Sequence, residues 1–423
     1  MTGTSERASK RRLGQYGPVA ISFFIMFVEG YDLISLGAVG PTLLHYGPWS
    51  LSHDDIGLVG TVTSLGMPLG ALAAGWAGDR WGRRRPLAIV LVWISLTMLI
   101  AATAPAFWLF LLARLGTGAA VGALGPLVAA YVSEAAPRRH RSLHISIAFG
   151  AIGVGGVAAA VLARSLLPGA SFRWMFAVGV IPVVVAPLLW RMRPAAVPAG
   201  EAEPAVPSAG QRSQSGGRLG GVLSGDLRRG TLLLSVGAFM GLLLIFSTST
   251  WLPTIMVNHG FNLRTSLDLT IAFNVGASLG AALAAMVADR GYLRAVTTGC
   301  FALCAVTMIF LSMAQGKYVL VAISVFAGLG ALGAQNMVIS CIASHFPTDL
   351  RGTGLGVCMG AGRFGAILGP AYVAWVVGLF ASTRAGFYAF VVPAVLGALA
   401  IMFLPRRTPA VVTLPQATEA SPG

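Results

Sequence analysis

The sequence GWAGDRWGRRR at residues 75–85 joins two apolar segments, near 55–77 and 86–104. About 20 apolar residues are enough for a helix to cross the hydrocarbon core of a bilayer. The joining stretch carries four arginines, and arginine and lysine concentrate in the cytoplasmic loops of membrane proteins. We therefore interpret residues 75–85 as an inner loop between two membrane-spanning helices.

Apolar segments of the same kind recur along the whole chain of 423 residues, of which 56% are hydrophobic and 10% charged. Soluble proteins have about 25% charged residues. Bilayer-spanning strands would be shorter and would alternate in polarity, and only helices or closed barrels satisfy the backbone in lipid. The sequence therefore predicts an all-α membrane protein with twelve transmembrane helices. We place these spans near 18–44, 55–77, 86–104, 107–134, 143–166, 172–190, 231–257, 267–287, 295–314, 318–343, 352–378 and 385–404.

The pair Asp79-Arg80 has a second copy 210 residues later, at Asp289-Arg290. A constant offset over more than sixty residues indicates duplicated structure. We predict two pseudo-symmetric six-helix bundles, with a substrate path at their interface near the membrane midplane. The same offset relates three further pairs: Gly118 and Gly328, Pro137 and Pro347, and Arg141 and Arg351.

The predicted domains are a cytoplasmic N-terminal tail at 1–17, bundles at 18–190 and 230–405, a cytoplasmic linker at 191–229, and a C-terminal tail at 406–423. The linker is rich in Pro, Ala, Gly and Ser and lacks apolar periodicity. Such a composition is typical of a flexible connection.

The distribution of basic residues predicts the orientation. With both termini inside, 22 of the 29 lysines and arginines fall in inner segments, five fall in outer loops, and Arg114 and Arg363 fall within spans. This asymmetry favours cytoplasmic termini. We expect an integral protein of a bacterial inner membrane, without a cleavable signal peptide, because the first apolar stretch contains Glu29 and Asp32.

The loop that follows span two resembles the G-x-x-x-D-R-x-G-R-R signature of the major facilitator superfamily, which implies the major facilitator fold. In this interpretation Gly75 lets two helices approach closely. Asp79 lies at a neighbouring helix N-terminus, where the dipole favours an anion. Arg80 and Arg83 pair with acids such as Glu134, and the cluster holds the cytoplasmic gate shut.

We assign Asp289 and Arg290 to the same gate, although the second copy is degenerate. Ala285 replaces the first glycine, and Leu293 and Ala295 stand where the first copy has the later arginines Arg83 and Arg85. Positive-inside anchoring is the alternative interpretation for the first copy, but it explains only the arginines and not the ordered glycines and aspartate.

Two carboxylates, Glu29 and Asp32, lie in the middle of span one and share a helix face at i and i+3. An ionised acid at the bilayer centre costs about 2.5–3.5 kcal/mol on insertion scales. Such acids usually face a cavity and carry protons or ions. We interpret both as proton-coupling residues. The alternative is a structural pair with Arg114 or Arg363.

Arg114 in span four and Arg363 in span eleven are candidate substrate-binding residues, because a guanidinium binds a carboxylate bidentately. For Arg114, neutralisation of Glu29 or Asp32 is an equal alternative. For Arg363 we favour the substrate, because the glycines around it leave room beside the helix.

A narrower resemblance is carried by Glu29-Gly30-Tyr31-Asp32, with Gly37 and Pro41, and by residues 346–370. These are similar to the D-G-[FY]-D-x-x-x-x-G-x-x-x-P and [YF]-P-T-x-x-R-x-T-G-x-G stretches of the aromatic acid:proton symporter family. The resemblance implies that Glu29 and Asp32 are needed for proton-coupled uptake and that Arg363 belongs to the substrate site. Glu29 stands where the family usually has Asp, and the Asn that often follows Pro126 in that family is missing.

Three further residues complete the predicted substrate site. Tyr31 lies between the two acids and offers a ring for stacking. Asn274 and Gln335, which belong to stretches resembling the same family, are uncharged polar groups at depth. Interhelical hydrogen bonding is an alternative role for both.

The sequence predicts no enzyme, cofactor, metal site or nucleic-acid partner. Its cargo is predicted to be a small organic anion with protons, its environment the lipid bilayer, and its functional unit a monomer. No His falls mid-span, which argues against a histidine proton relay. Transport of another organic acid or metabolite, and export of drugs or metabolites, are the alternatives. A drug exporter would be expected to carry a Gly-Pro motif in span five. Residues 150–160 of this span contain glycines but no Pro, which disfavours drug export.

Overall fold

The computed structural model describes residues 2–135, 141–191, 221–223, 225, 227–313, 316–347, 350–380 and 384–405. Side chains are described within these ranges except at 2–16, 79, 133, 135, 141–143, 145, 146, 188, 190 and 191. Regular structure in this part of the chain is helical. The main helices are α1 (Thr2–Leu44), α2 (His53–Trp81), α3 (Arg84–Thr103), α4 (Phe107–Ala135), α5 (Arg141–Leu166), α6 (Arg173–Val178), α7 (Ala186–Arg191), α8 (Leu227–Asn258), α9 (Leu263–Val287), α10 (Leu293–Leu311), α11 (Lys317–His345), α12 (Arg351–Phe380) and α13 (Ala385–Met402).

Ten helical stretches of the described chain are long and apolar enough to cross a membrane. One of them, Leu263–Leu311, contains both α9 and α10. These two helices are joined through a π-helical turn at Ala288–Tyr292, in which Gly291 has φ 92°. With α9 and α10 counted separately and the segment from α6 to α7 counted as one crossing, the helices occupy the twelve predicted positions. The predicted fold is confirmed.

The sixth crossing differs from the single helix predicted at 172–190. It consists of α6, a 3₁₀ segment at Ile181–Val185, and α7. Pro182 lies at the start of the 3₁₀ segment, and Pro187 lies in the first turn of α7. Proline has no backbone N–H and its ring clashes with the preceding turn. Two prolines five residues apart therefore break this span into short pieces.

The two halves repeat the same backbone contacts. A Cβ on Gly118 of α4 would overlap the carbonyl of Thr63 on α2, and a Cβ on Gly328 of α11 would overlap the carbonyl of Phe273 on α9. Thr63 and Phe273 are themselves 210 residues apart. The offset found in the sequence therefore relates equivalent helix–helix contacts in the structure.

A second pair of contacts follows the same rule. Gly70 touches the backbone of Ala119, and Gly280 touches the backbone of Leu329. Both glycines and both partners are again 210 apart. Small residues of this kind allow close packing of membrane helices, where the hydrophobic effect does not drive association.

The halves meet along three helix pairs, α1 with α8, α2 with α12, and α5 with α9. We call the end of the molecule that carries the α1–α2 loop the outer end, after the predicted orientation, and the opposite end the inner end. Close contacts between the halves occur toward the outer end, where Gly37 lies against Ser249 and Gly57 lies against Ala374. The outer end is therefore closed in this structure.

The predicted tails and linker are only partly described. Helix α1 already begins at Thr2, so the segment predicted as the N-terminal tail is helical. The C-terminal tail at 406–423 and residues 192–220 of the linker lie outside the described residues, as do Pro137 and the side chain of Arg141.

Candidate functional site

Asp32 and Arg114 form a buried ion pair inside the N-terminal half. Arg114 Nη1 donates to Asp32 Oδ1 at 2.6 Å, and Nη2 donates to Oδ2 at 3.3 Å. Arg114 Nε donates to Thr63 Oγ1 at 3.3 Å. The two charged side chains are 2% and 1% exposed. This bidentate arrangement joins α1, α2 and α4.

Glu29 lies one helical turn before Asp32 on α1, but its surroundings differ. Its side chain is half-buried, and its Oε2 is buried without a hydrogen-bond partner among the described residues. Arg363 of α12 acts on Glu29 through its positive charge, although the described ion pairs do not include these two groups. An acidic oxygen without a partner is costly away from water, so this oxygen of Glu29 favours a proton or a cation as its partner.

Arg363 is half-buried and projects toward the N-terminal half. Its Nη1 lies 3.9 Å from the sulfur of Met67 on α2. A thioether is a weak acceptor, so the contact with Met67 uses little of the donor capacity of the guanidinium. Glu29 and Arg363 therefore bring opposite charges from two different halves to the same region.

The predicted substrate residue Tyr31 does not join Glu29 and Arg363. Its ring is buried in the N-terminal half, and its hydroxyl donates to the carbonyl of Met175 on α6 at 2.7 Å. In this structure the ring packs α1 against α6.

Asn274 lies at the contact between the halves. Its Nδ2 donates to the carbonyl of Thr270 at 2.9 Å, and its Oδ1 faces Gly156 of α5. Gln335 lies inside the C-terminal half, with Oε1 directed at Gly241 of α8 and buried without a partner. Asn274 is therefore placed along the interface, whereas Gln335 is not brought to Glu29.

Most of the predicted gating residues lie at or near the α2–α3 turn. Arg83 Nε donates to Glu134 Oε1 at 3.1 Å, which ties this turn to the end of α4 within one half. Gly82 has φ 73°, a conformation that favours glycine. Arg80 is exposed, with its guanidinium carbon 5.7 Å from the centre of the Trp76 ring. The side chain of Asp79 lies outside the described residues.

The prediction that Gly75 brings two helices close together is wrong for this structure. A Cβ built on Gly75 meets no atom within 4 Å. The close approach occurs instead at Gly70, where α2 touches α4. Asp289 and Arg290 of the second copy are exposed in the turn between α9 and α10.

A set of polar contacts at the outer end was not predicted. Asp268 of α9 accepts from Arg164 Nε of α5, and its other oxygen accepts from Lys317 Nζ at 2.9 Å. The Arg164 contact crosses between the halves. One feature of the sequence could have indicated these contacts. Asp268 is a single acid in the second turn of an apolar helix, and the next acid in the sequence is at residue 289.

A second outer contact also crosses between the halves. Asn258 Nδ2 lies 3.1 Å from His53 Nε2 at the start of α2. The His53 ring is stacked on Trp251 of α8, with centroids 6.0 Å apart and planes 8° apart. The ends of α2, α5, α8 and α9 are therefore held together at the outer surface.

Comparisons with known proteins agree with this architecture. The Major Facilitator Superfamily model matches residues 22–370 and 266–422. The chain is 31% identical to a gallate transporter of Pseudomonas putida, with 91% of this chain and 90% of the relative covered. It is 30% identical to a gentisate transporter of Corynebacterium glutamicum (94% and 88% covered). It is 28% identical to a benzoate transport protein of Acinetobacter baylyi (92% and 89% covered).

Solved structures share the fold at lower identity. The D-xylose–proton symporter superposes with a TM-score of 0.72 at 18% identity, covering 91% of this chain and 97% of the other. A bacterial homologue of the human lysosomal transporter Spinster, in an inward-facing and unoccupied conformation, gives 0.68 at 16% identity, covering 92% and 94%. The matched family model, the named relatives and the fold agree that this chain is a membrane transporter and belongs to the major facilitator superfamily.

Proposed function

We propose that the protein carries out proton-coupled uptake of a small organic anion, an aromatic carboxylate such as a benzoate derivative, across a bacterial inner membrane. The observation that carries the proposal is the opposition of Glu29 and Arg363 across the two halves. The substrate class is supported by similar proteins named for gallate, gentisate and benzoate.

The coupling follows from competition for one cation. When Glu29 is ionised, it and an incoming carboxylate both require the positive charge of Arg363. A proton on Glu29 removes this competition, so the substrate carboxylate binds the guanidinium through two charge-assisted hydrogen bonds. Release of the substrate to the inside restores the attraction between Arg363 and Glu29 and favours loss of the proton.

Asp32 is the less accessible of the two predicted proton sites. Its carboxylate is already neutralised by Arg114 and buried from solvent. A proton on Asp32 would leave a buried guanidinium without its counter-charge, which is strongly unfavourable. We therefore assign proton binding to Glu29 and give the Asp32–Arg114 pair the role of fixing α1 against α4. Because Arg114 is engaged by Asp32, we leave it out of the proposed substrate site.

For the orientation in the membrane and the number of chains in the functional unit, our proposals rest on the sequence and the fold. We propose that both termini face the cytoplasm, on the basis of the excess of arginine and lysine in the inner segments. We also propose that a single chain is the functional unit, because the fold holds both halves of the predicted path in one polypeptide.

The test is uptake of radiolabelled benzoate by proteoliposomes, with and without an acid-outside pH gradient. The wild type is expected to accumulate benzoate above equilibrium only with the gradient. Glu29→Gln should lose this accumulation yet keep benzoate exchange down its own gradient, because the Arg363 site persists. Arg363→Gln should lose both activities.

Asp54→Asn is the matched control, since Asp54 is an exposed acid at the outer end. Accumulation that is unchanged in Glu29→Gln would contradict the coupling role. Transport of benzoate only from inside to outside would favour export instead of uptake.

A further inference from the structure

An open groove of about 210 Å³ lies on the flank of the N-terminal half, between α2, α3 and α4. All the residues that line it are apolar. Small residues of α2, such as Ala73 and Ala77, lie beside the large rings of Trp81 and Trp93. These indoles are 44% and 48% exposed, so the groove opens toward the bilayer.

The shape of the groove is fixed by its neighbours. Gly70 contacts the backbone of Ala119, which sets the separation of α2 and α4. Trp93 Nε1 donates to the carbonyl of Gly116 at 2.9 Å, which holds the indole in place. The groove therefore persists as a surface feature instead of closing by rotation of one side chain.

The length and position of the groove suit a lipid chain. Its lining on α2 runs from Gly70 to Trp81, about 16 Å at 1.5 Å per residue. The hydrocarbon core of a bilayer is about 30 Å thick. The groove thus begins near the inner surface and extends through about half of the core, which is the depth occupied by one leaflet.

Two exposed arginines lie near the inner end of the groove. Arg85 is exposed and precedes Pro86, which lines the groove, and Arg80 is exposed one residue before Trp81. Arg84 is directed elsewhere, over the ring of Tyr131 at 5.8 Å. Basic pockets between membrane helices on the cytoplasmic side bind anionic lipid head groups.

The C-terminal half provides a natural contrast. The positions 210 residues after Arg85 and Pro86 are Ala295 and Val296. Arg294 stands at the position equivalent to Arg84, but Ala295 stands at the position equivalent to Arg85. The second half therefore makes its turn without an arginine at the Arg85 position. Turn formation therefore does not explain Arg85, whose exposed side chain can serve another purpose.

We propose that this groove is a binding site for an anionic phospholipid. One acyl chain lies between α2, α3 and α4, and the phosphate-containing head group is bound by Arg85 with Arg80. The site is separate from Glu29 and Arg363 and does not depend on the proposed substrate.

Native mass spectrometry of the detergent-purified full chain, titrated with phosphatidylglycerol or phosphatidylcholine, tests the proposal. The wild type is expected to bind one phosphatidylglycerol at least fivefold more tightly than phosphatidylcholine, the factor expected for one cation near the membrane surface. Ala73→Phe should fill the groove and remove this high-affinity lipid. Arg85→Gln should reduce the preference for phosphatidylglycerol, because only Arg80 then remains to bind the head group. Glycerol phosphate without acyl chains should not compete.

The matched controls are Ala302→Phe, at an exposed alanine of α10, and Arg229→Gln, at an exposed arginine at the inner end of α8. Neither should change the lipid affinities. If Ala73→Phe does not fold, Ile89→Trp blocks the groove from α3, where Ile89 is 46% exposed. Unchanged phosphatidylglycerol binding in the folded blocking variant, or equal affinity of the wild type for both lipids, would overturn the proposal.

Discussion

Glu29 and Asp32 are one helical turn apart, yet they differ in what surrounds them. Asp32 is held by both terminal nitrogens of Arg114 and is buried, whereas Glu29 has a buried oxygen with no partner. Two carboxylates on the same helix therefore have different surroundings. In our proposal the paired acid fixes the helix, and the unpaired acid carries the proton.

Replacing Asp32 should expose the structural role of this pair. Asp32→Asn leaves Arg114 charged and buried, and breaking a buried pair in this way costs about 3–5 kcal/mol. We expect a clearly lower melting temperature of the purified protein. The double variant Asp32→Asn/Arg114→Gln should recover part of the loss, because no buried charge remains.

Tryptophan fluorescence during heating measures both variants, with Asp54→Asn as the control for loss of an exposed acid. A single Asp32 variant as stable as the wild type would contradict the structural role. A double variant less stable than the single one would contradict it equally.

At the residue scale, the sequence predicted which ionisable groups lie at depth but not how they pair. Glu29, Asp32, Arg114 and Arg363 are all partly or fully buried, as expected of charged groups inside membrane spans. Pairing depends on which helices are neighbours and on their rotation, and neither is contained in the spacing of residues along one helix. Tyr31 illustrates the limit. It lies between the acids in sequence, but each residue turns about 100° around a helix with 3.6 residues per turn.

At the element scale, backbone contacts through glycine hold each half together. Gly118 and Gly328 occupy equivalent positions, and a methyl group at either would overlap a carbonyl of the neighbouring helix. Gly118→Ala should therefore separate α4 from α2 and lower both the folded yield and the melting temperature.

Gly299→Ala provides the comparison, because a Cβ at Gly299 of α10 meets no atom within 4 Å. Alanine has the higher helix propensity, so this control should be neutral or slightly stabilising. Equal melting temperatures for the Gly118 and Gly299 variants would show that the α2–α4 contact tolerates a side chain.

The polar contacts at the outer end should bias the position of the two halves. Arg164→Gln removes an ion pair between α5 and α9, and we expect it to increase the population with an open outer end. Spin labels at Asp54 and Arg264, which are exposed on opposite halves, would report a longer distance by pulsed electron paramagnetic resonance.

Lys317→Gln is a closely matched control for this experiment. Lys317 pairs with the same Asp268, but both belong to the C-terminal half. The label distance should therefore stay as in the wild type. An equal change in both variants would mean that Asp268 acts within its own half and not as a tie between the halves.

The positions of the helices could be predicted from the lengths of the apolar stretches. The positions at which prolines break a helix could not be predicted in the same way. The prolines at 182 and 187 were visible in the sequence, and they break the sixth crossing into short helices. Prolines at 126, 253 and 370 lie inside continuous helices instead. Membrane helices tolerate proline where neighbours satisfy the freed carbonyl, so the outcome depends on packing.

At the scale of the whole molecule, the constant offset of 210 residues was the most informative feature of the sequence. It predicted two equivalent bundles, and the paired contacts of Gly70 and Gly280 follow it. The closed outer end could not be predicted, because a transporter of this type has more than one arrangement of its halves. The cross-half contacts of Asp268 and His53 belong to one such arrangement.

The predicted orientation can be tested with single introduced cysteines, since the four native cysteines are buried. A membrane-impermeant maleimide added to intact cells should label Asp54→Cys at the outer end. It should label Arg85→Cys at the inner end only after permeabilisation. Labelling in the opposite pattern would reverse the assignment of inside and outside.

The glycine contacts within each half have a consequence for how selectivity can change. Helices whose backbones touch directly have little room to shift against each other, so each bundle resists internal deformation. Arg363 instead projects toward the other half, while its neighbour Gly362 packs against Ala238 of α8 within the bundle. If the proposed cargo site is correct, substitutions of side chains that face the other half should change its shape while each bundle keeps its form, which makes these positions the starting place for directed evolution of new substrates.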